Sequence, residues 1–207
     1  RLLGSQTQTV ETPAGSPFLL VGLGNPGRQY RENRHNIGFM ALDRISSALQ
    51  ARLGRLQSRA LVTSVTWEGN RVILAKPQTF MNLSGQAVAS LLRFYKVPLT
   101  QLLVIHDDLD LPLGTLRLRP SGGSAGQRGL ASTIQQLGTQ DFPRLRLGIG
   151  RPPGQMDAAD YVLQNFSQPE GELLKIVLDT SVSAAQTFIR DGLEKAMNTF
   201  NGSLQKE

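Results

Sequence analysis

The chain has 207 residues, of which 40% are apolar and 18% are charged, and its formal net charge is +6. This length and composition suit one globular domain. Cysteine is absent and only two histidines occur, His35 and His106, which excludes disulfides, thiolate zinc sites and cysteine nucleophiles and argues against a multi-histidine metal site. No apolar run reaches the ~20 residues that span a bilayer, so we expect a soluble protein without a membrane partner.

In chain order, residues 1–16 are rich in Ser, Thr, Gln and Gly, and we expect a disordered N-terminal tail there. Short apolar or alternating runs predict strands at residues 18–23, 61–67, 72–75, 102–105, 115–119 and 145–149. Apolar residues at helical spacing predict helices at residues 37–49, 87–95, 130–137 and 174–197.

We expect the second helix to be capped by polar residues within 82–85, and the last helix to follow a start signature at residues 167–170. Strands that alternate with helices indicate the α/β class. Residues 17–207 are therefore predicted to form a single domain, with a mixed, twisted sheet and helices on both of its faces.

Arginines are concentrated in the second half of the chain. Residues 113–151 contain six arginines and a single acid, Asp141, so this segment carries +5 of the net charge of +6. Guanidinium groups suit bidentate contacts to phosphate, and a solvated basic surface is the alternative interpretation. The alternating runs at 115–119 and 145–149 are expected to place arginine on one face of the sheet and leucine on the other.

Two glycine motifs point to functions that their surroundings do not support. Residues 22–27 match the dinucleotide fingerprint G-x-G-x-x-G, but the helical pattern begins only near Asn36 and no acid ends a second strand ~20 residues later. Residues 122–126 match the nucleophile elbow G-x-S-x-G, but both histidines precede Ser124. We therefore expect neither nucleotide binding nor a serine nucleophile.

The acidic run at residues 106–110 has two interpretations. His106, Asp107, Asp108 and Asp110 could hold Mg²⁺, which would suit a metal-dependent phosphohydrolase. Alternatively, Asp107 lies at the carboxyl end of a buried strand and orients a histidine. Because the sequence has no second acidic cluster, orientation is the favoured interpretation, and we expect no metal and no cofactor.

Six segments form an ordered set at residues 21–27 (VGLGNPG), Tyr30, 33–36 (NRHN), 76–85 (KPQTFMNLSG), 106–112 (HDDLDLP) and 144–150 (RLRLGIG). In order and spacing this set resembles bacterial-type peptidyl-tRNA hydrolases, from about Phe18 to the C-terminal helix. The resemblance implies the fold of that family, and it implies hydrolysis of the ester that joins a peptide to the ribose of tRNA, which recycles tRNA from stalled translation.

The resemblance also implies roles for single residues. His35 matches the general base, and a neutral imidazole can take a proton from water near neutral pH. Asp107 matches the acid that orients this histidine. Asn82 matches an amide that holds the substrate or polarises the ester carbonyl. Asn25 matches the residue that binds the peptide backbone.

Other matching positions concern the RNA. Tyr30 and Phe80 match residues that line the site of the tRNA acceptor end, where an aromatic ring can stack on a base. Arg119 and Arg146 match the clamp for the 5′ phosphate, and Arg117 extends that surface. Neutralisation of phosphate gives affinity without reading the base sequence.

Two adjacent residues depart from the family pattern: the usual His-Asn after the glycine-rich loop is replaced by Gln127-Arg128. Gln127 cannot carry a proton. Arg128 is a long cation that we expect at the RNA site, where it could bind a phosphate of the acceptor strand, polarise the ester carbonyl or weaken the site. The alternative function is therefore a catalytically weakened RNA-binding protein of the same fold. We further expect a monomer in the bacterial cytoplasm, or in an organellar matrix or stroma.

Overall fold

A computed structural model describes residues 15–204 of the chain, so nearly all of the expected N-terminal tail lies outside the described residues. Within this range the strands are β1 (Phe18–Gly22), β2 (Arg55–Gln57), β3 (Ala60–Trp67), β4 (Asn70–Pro77), β5 (Leu102–Asp108), β6 (Thr115–Arg119), β7 (Arg144–Gly148) and β8 (Gly202–Ser203). The α-helices there are α1 (Ile37–Ala48), α2 (Ser84–Tyr95), α3 (Arg128–Leu137), α4 (Ala158–Val162), α5 (Gly171–Asp191) and α6 (Leu193–Phe200).

The strands form one mixed sheet in the order β2-β3-β4-β1-β5-β7-β6-β8. The four central strands, β4, β1, β5 and β7, are parallel, and β3 and β6 pair antiparallel to them on the two sides. The edge strands β2 and β8 pair antiparallel to β3 and β6. The α/β class and the mixed sheet are therefore confirmed. Parallel strands end at the same edge of a sheet, which brings the loops after β1 and β5 together.

The sheet separates two apolar cores, because alternate residues of each strand point to opposite faces. On β1, Leu20 packs into a core with α1, α5 and α6, whereas Leu19 and Val21 pack into a core with α2 and α3. All three side chains are fully buried, and each contributes about 1.5–3 kcal/mol of hydrophobic stabilisation. Helices cover both faces of the sheet, as predicted.

Two glycines allow α1 to lie directly on the sheet, where it positions the residues just before it. A methyl group on Gly38 would lie 2.4 Å from the carbonyl oxygen of Ile105 and 2.6 Å from that of Leu23. A methyl group on Gly22 would lie 2.3 Å from the carbonyl oxygen of Gly38. The first glycine of the fingerprint-like motif at residues 22–27 thus serves close packing between helix and strand.

Several elements differ from the sequence-based expectations. The predicted C-terminal helix is interrupted at Gly192, whose φ of 88° and ψ of 171° suit a residue without Cβ, and α6 then packs on α5 and β6. No side chain caps α2, because a 3-10 turn at Met81–Leu83 leads into it instead. Strand β5 is longer than predicted and extends through Asp108.

The sequence did not predict β2, β8 and α4, which are too short for a periodic pattern. No helix in the described range is long and apolar enough to cross a membrane.

We expect the substitution Gly38→Ala to lower the free energy of unfolding by about 2–3 kcal/mol, because backbone oxygens cannot move aside for the new methyl group. Urea unfolding measures this difference. Gly54→Ala is the matched control, since a methyl group added there would have no atom within 4 Å. Equal unfolding midpoints for the two variants would contradict the packing role of Gly38.

Candidate active site

A cleft of about 480 Å³ opens at the carboxyl edge of the parallel strands. Seven of the ten residues that the sequence singles out line this cleft: Asn25, Tyr30, His35, Phe80, Asn82, Asp107 and Arg128. The other three, Arg117, Arg119 and Arg146, lie on β6 and β7. One cleft therefore gathers side chains from segments that are far apart in the chain.

His35 and Asp107 are in direct contact, although 72 residues separate them. His35 lies in a 3-10 turn just before α1, and Asp107 lies near the end of β5. The His35 Nδ1 to Asp107 Oδ2 distance is 2.9 Å, and both side chains are largely buried. When Nδ1 donates its proton to the carboxylate, the neutral ring keeps its lone pair on Nε2.

Gln127 holds the second oxygen of the same carboxylate. Its Nε2 donates to Asp107 Oδ1 at 3.0 Å, and its Oε1 accepts from the backbone N–H of Leu130 at 2.6 Å as the N-cap of α3. The bond from Leu130 fixes which end of the amide faces Asp107. This residue departs from the family pattern, but it still gives Asp107 a second donor.

Asn25 connects the loop after β1 to the two neighbouring segments of the cleft. Its backbone N–H donates to Asn36 Oδ1 and its carbonyl accepts from Asn36 Nδ2, both at 2.9 Å. Its side-chain Oδ1 accepts from the backbone N–H of Met81 at 2.8 Å. With Oδ1 engaged, the side-chain NH₂ group is the part of Asn25 that can donate to a ligand.

Exposed groups form one rim of the cleft. The Phe80 side chain is 60% exposed, and the neighbouring Asn82 is also exposed. A large aromatic ring left in water at the mouth of a cleft is typical of a binding surface.

The arginines of β6 and β7 fall into two groups. The strands pair Arg117 with Arg146 and Arg119 with Arg144, so all four lie on one face of the sheet. Arg144 is fully buried, and its guanidinium donates to backbone carbonyls, including that of Gln140 at 2.7 Å. Burial, followed by the charge of Arg146, lowers the pKa of Arg144 to about 10. Arg144 is therefore a structural residue, although composition placed it in the basic cluster.

Arg146 is only partly available as a cation. Its Nε lies 2.5 Å from Asp108 Oδ2, and Asp108 also lines the cleft. Arg119 and Arg128 are exposed and Arg117 is half-buried, and none of the three has an ion-pair partner among residues 15–204. The charge on this surface that is free for a ligand thus resides mainly in these three residues.

The acids at 106–110 do not converge on one point. Asp107 binds His35 and Gln127, Asp108 binds Arg146, and Asp110 binds Arg151. His106 is buried, its Nδ1 lies 2.8 Å from the Asp107 carbonyl, and burial lowers its pKa. In the described part of the chain no group of three or more His, Asp or Glu side chains could hold a metal ion.

The sequence does not predict the wall of the cleft that α4 provides. Asp157, Ala158, Ala159, Val162 and Leu163 all line the cleft. Asp157 is the N-cap of α4 and accepts from the backbone N–H of Ala159 at 2.9 Å. An Asp before two alanines is a weak helix-start signal, and a five-residue helix is too short to give periodicity.

Comparison with known proteins gives one consistent result. The family model described as peptidyl-tRNA hydrolase matches residues 19–207. The chain is similar to the peptidyl-tRNA hydrolase of Desulforamulus reducens, with 48% identity over 183 residues that cover 88% of each protein. It is also similar to a protein of Arabidopsis thaliana named "Peptidyl-tRNA hydrolase, chloroplastic", with 46% identity over 91% of this chain and 66% of the relative.

A solved structure agrees with the sequence relatives. The crystal structure of peptidyl-tRNA hydrolase from Acinetobacter baumannii superposes with a TM-score of 0.86 and 31% identity, over 93% of this chain and 98% of that one. The resemblance inferred from six short motifs therefore extends to nearly the whole chain and to its three-dimensional fold, and the protein belongs to the peptidyl-tRNA hydrolase family.

Proposed function

We propose that the protein hydrolyses the ester bond between the peptide and the ribose of peptidyl-tRNA, with His35 as general base and Asp107 as the group that orients it. The observation that carries the proposal is the 2.9 Å contact between His35 Nδ1 and Asp107 Oδ2 at a cleft with an exposed aromatic rim. Family membership supports the reaction, and the geometry supports the assignment of roles.

The proton path follows from the orientation of the ring. Asp107 accepts the Nδ1 proton, so His35 Nε2 can take a proton from a water molecule as that water attacks the ester carbonyl. Asp107 then stabilises the imidazolium. The imidazolium returns the proton to the departing ribose oxygen, which leaves tRNA with a free hydroxyl group. The peptide is left with a carboxylic acid, which loses the second proton of the water to solvent.

Two asparagines are assigned to the substrate. Asn82 is exposed at the cleft, where its amide can donate to the carbonyl oxygen that gains negative charge during attack. Asn25 has its Oδ1 engaged by Met81, and its NH₂ group is assigned to a carbonyl of the peptide. Both roles require donors that are held in place before the substrate arrives.

The bases of the tRNA acceptor end are assigned to the aromatic residues of the cleft, and the phosphates are assigned to the arginines. Phe80 and Tyr30 stack on bases of the acceptor end, and Arg117, Arg119, Arg128 and Arg146 bind phosphates. Because Arg146 already contacts Asp108, a phosphate there must share it with a carboxylate. Arg119 and Arg128 therefore contribute more to affinity than Arg146 does.

A second candidate function is RNA binding with weakened turnover, and the observation that favours it is the Gln127–Asp107 bond, in which a neutral amide replaces a group that could carry a proton. For either function we propose a monomer that acts in the bacterial cytoplasm or in an organellar matrix or stroma. A relative named as chloroplastic supports the second location.

We expect wild-type protein to release N-acetyl-amino acid from N-acetyl-aminoacyl-tRNA at the same rate with and without EDTA. His35→Ala and Asp107→Asn are each expected to lower kcat by about 10²–10⁴-fold, because the base is lost or the ring is held in the wrong tautomer. Asp110→Asn is the control, since that carboxylate binds Arg151 outside the pair.

The same assay distinguishes the alternatives. Activity that disappears in EDTA would support a metal-dependent enzyme. Tight tRNA binding by the wild type without any release would support the weakened RNA-binding protein. Nearly full activity in His35→Ala would exclude His35 as the base.

We expect Arg119→Ala to weaken tRNA binding and to reduce the slope of log K against log salt concentration by about 1, because one phosphate contact is lost. Arg146→Ala should change the slope less. Arg190→Ala, which removes an exposed arginine already paired with Asp191, is the matched control. A slope identical to that of the wild type in Arg119→Ala would remove Arg119 from the phosphate site.

A further inference from the structure

The residue before the proposed base, Arg34, is a charged side chain that is 7% exposed. Its Nη1 and Nη2 each donate to one carboxylate oxygen of Glu170 at 2.8 Å. Its guanidinium carbon lies 4.6 Å from the ring centre of Tyr161 and 5.0 Å from that of Phe166. Burying a cation without a partner costs several kcal/mol. The ion pair with Glu170 and the contacts with the two aromatic rings therefore have to offset the burial of Arg34.

Two hydrogen bonds from Ser167 hold the carboxylate of Glu170 in place. Its Oε2 accepts from the backbone N–H of Ser167 at 2.7 Å and from the Ser167 hydroxyl at 2.8 Å, in a capping box at the start of the segment that leads into α5. Burial raises the pKa of Glu170, but the hydrogen bonds from Arg34 and Ser167 outweigh it and lower the pKa to about 2. The carboxylate thus anchors Arg34 to the start of α5.

Backbone and side-chain hydrogen bonds also join the turn before α1 to the residues after α4. The N–H of Arg34 donates to the carbonyl of Gln164 at 2.9 Å, and Asn33 Nδ2 donates to Asn165 Oδ1 at 2.7 Å. Asn33 and Asn165 also form an antiparallel bridge. The turn that carries His35 is therefore joined to the residues that directly follow α4.

These contacts connect two walls of the cleft without entering it. His35 lines one wall, and Val162 and Leu163 line another, whereas neither Arg34 nor Glu170 lines the cleft. The guanidinium of the pair contacts Tyr161 of α4, and Arg34 directly precedes His35. A change in its geometry would alter the position of the imidazole relative to a substrate that rests on α4.

We propose that Arg34 and Glu170 are positioning residues for the hydrolytic site: their ion pair fixes the His35 turn against the α4 wall, so that the imidazole meets both Asp107 and the ester. The inference rests on the proposed function of His35. The planar guanidinium is required, because only it can donate to both carboxylate oxygens while its faces contact two aromatic rings.

The test compares Glu170→Gln with Asp179→Asn. Asp179 lies on α5 and pairs with Arg44 of α1 at 2.5 Å, so its loss removes an exposed carboxylate–arginine pair without touching the His35 turn. The assay uses N-acetyl-aminoacyl-tRNA and equal concentrations of folded protein. Glu170→Gln is expected to lower kcat by about 10–100-fold with KM changed less than about twofold. Asp179→Asn is expected to keep wild-type values.

A second measurement needs no substrate. Since the chain has only two histidines, the ring resonances of His35 and His106 can be assigned by comparison with His35→Ala. In Glu170→Gln we expect the hydrogen-bonded Nδ1 proton of His35 to exchange faster with water, whereas the His106 resonances stay unchanged. Asp179→Asn should leave both rings as in the wild type.

Arg34→Lys keeps the charge but loses the paired donors, and it should reproduce the kcat loss of Glu170→Gln.

The pH dependence of stability also tests the ion pair. A carboxyl with a lowered pKa stabilises the fold above about pH 4 and loses that contribution as the pH falls toward 2. The stability difference between wild type and Glu170→Gln should therefore shrink over this range.

The proposal is overturned if folded Glu170→Gln keeps kcat within about twofold of the wild type, if Asp179→Asn loses as much activity, or if the His35 resonance is the same in all proteins. Absence of release by the wild type would instead refute the proposed function. The resonance comparison would still decide whether the ion pair positions the ring.

Discussion

The contact between His35 and Asp107 is the interaction on which the site depends. Both groups are largely buried, and a buried carboxylate is costly unless donors satisfy its oxygens. His35 satisfies one oxygen and Gln127 satisfies the other. The helix start at Gln127, the end of β5 and the turn before α1 must therefore meet within hydrogen-bonding distance, and this requirement constrains how the helices lie on the sheet.

Close packing makes that meeting possible. Gly38 lies against the carbonyl oxygens of Ile105 and Leu23, and Gly22 lies against Gly38, so α1 approaches the backbone of β1 and β5 more closely than any side chain would allow. The motif at residues 22–27 looks like a nucleotide fingerprint because both uses of glycine rest on one property, the absence of Cβ. Here the space is taken by a helix of the same chain, and not by a pyrophosphate.

Charge on the second half of the sheet has two separate uses. Arg144 is buried among backbone carbonyls and Arg146 contacts Asp108, so both contribute to the internal structure. Arg119 and Arg128 remain exposed, and Arg128 lines the cleft. The net charge of a segment therefore overstates what it offers to an RNA, because some of its cations are satisfied inside the protein.

The sequence by itself determined the α/β class, the central strands, the first three helices and the family, because local periodicity and short ordered motifs carry that information. It also named seven of the residues that meet in the cleft. Only the tertiary structure decided that Gly192 ends α5, that α4 forms a wall, that Asp108 holds Arg146 and that Arg34 pairs with Glu170, 136 residues away. These features depend on contacts between residues far apart in the chain, and neither propensity nor spacing encodes such contacts.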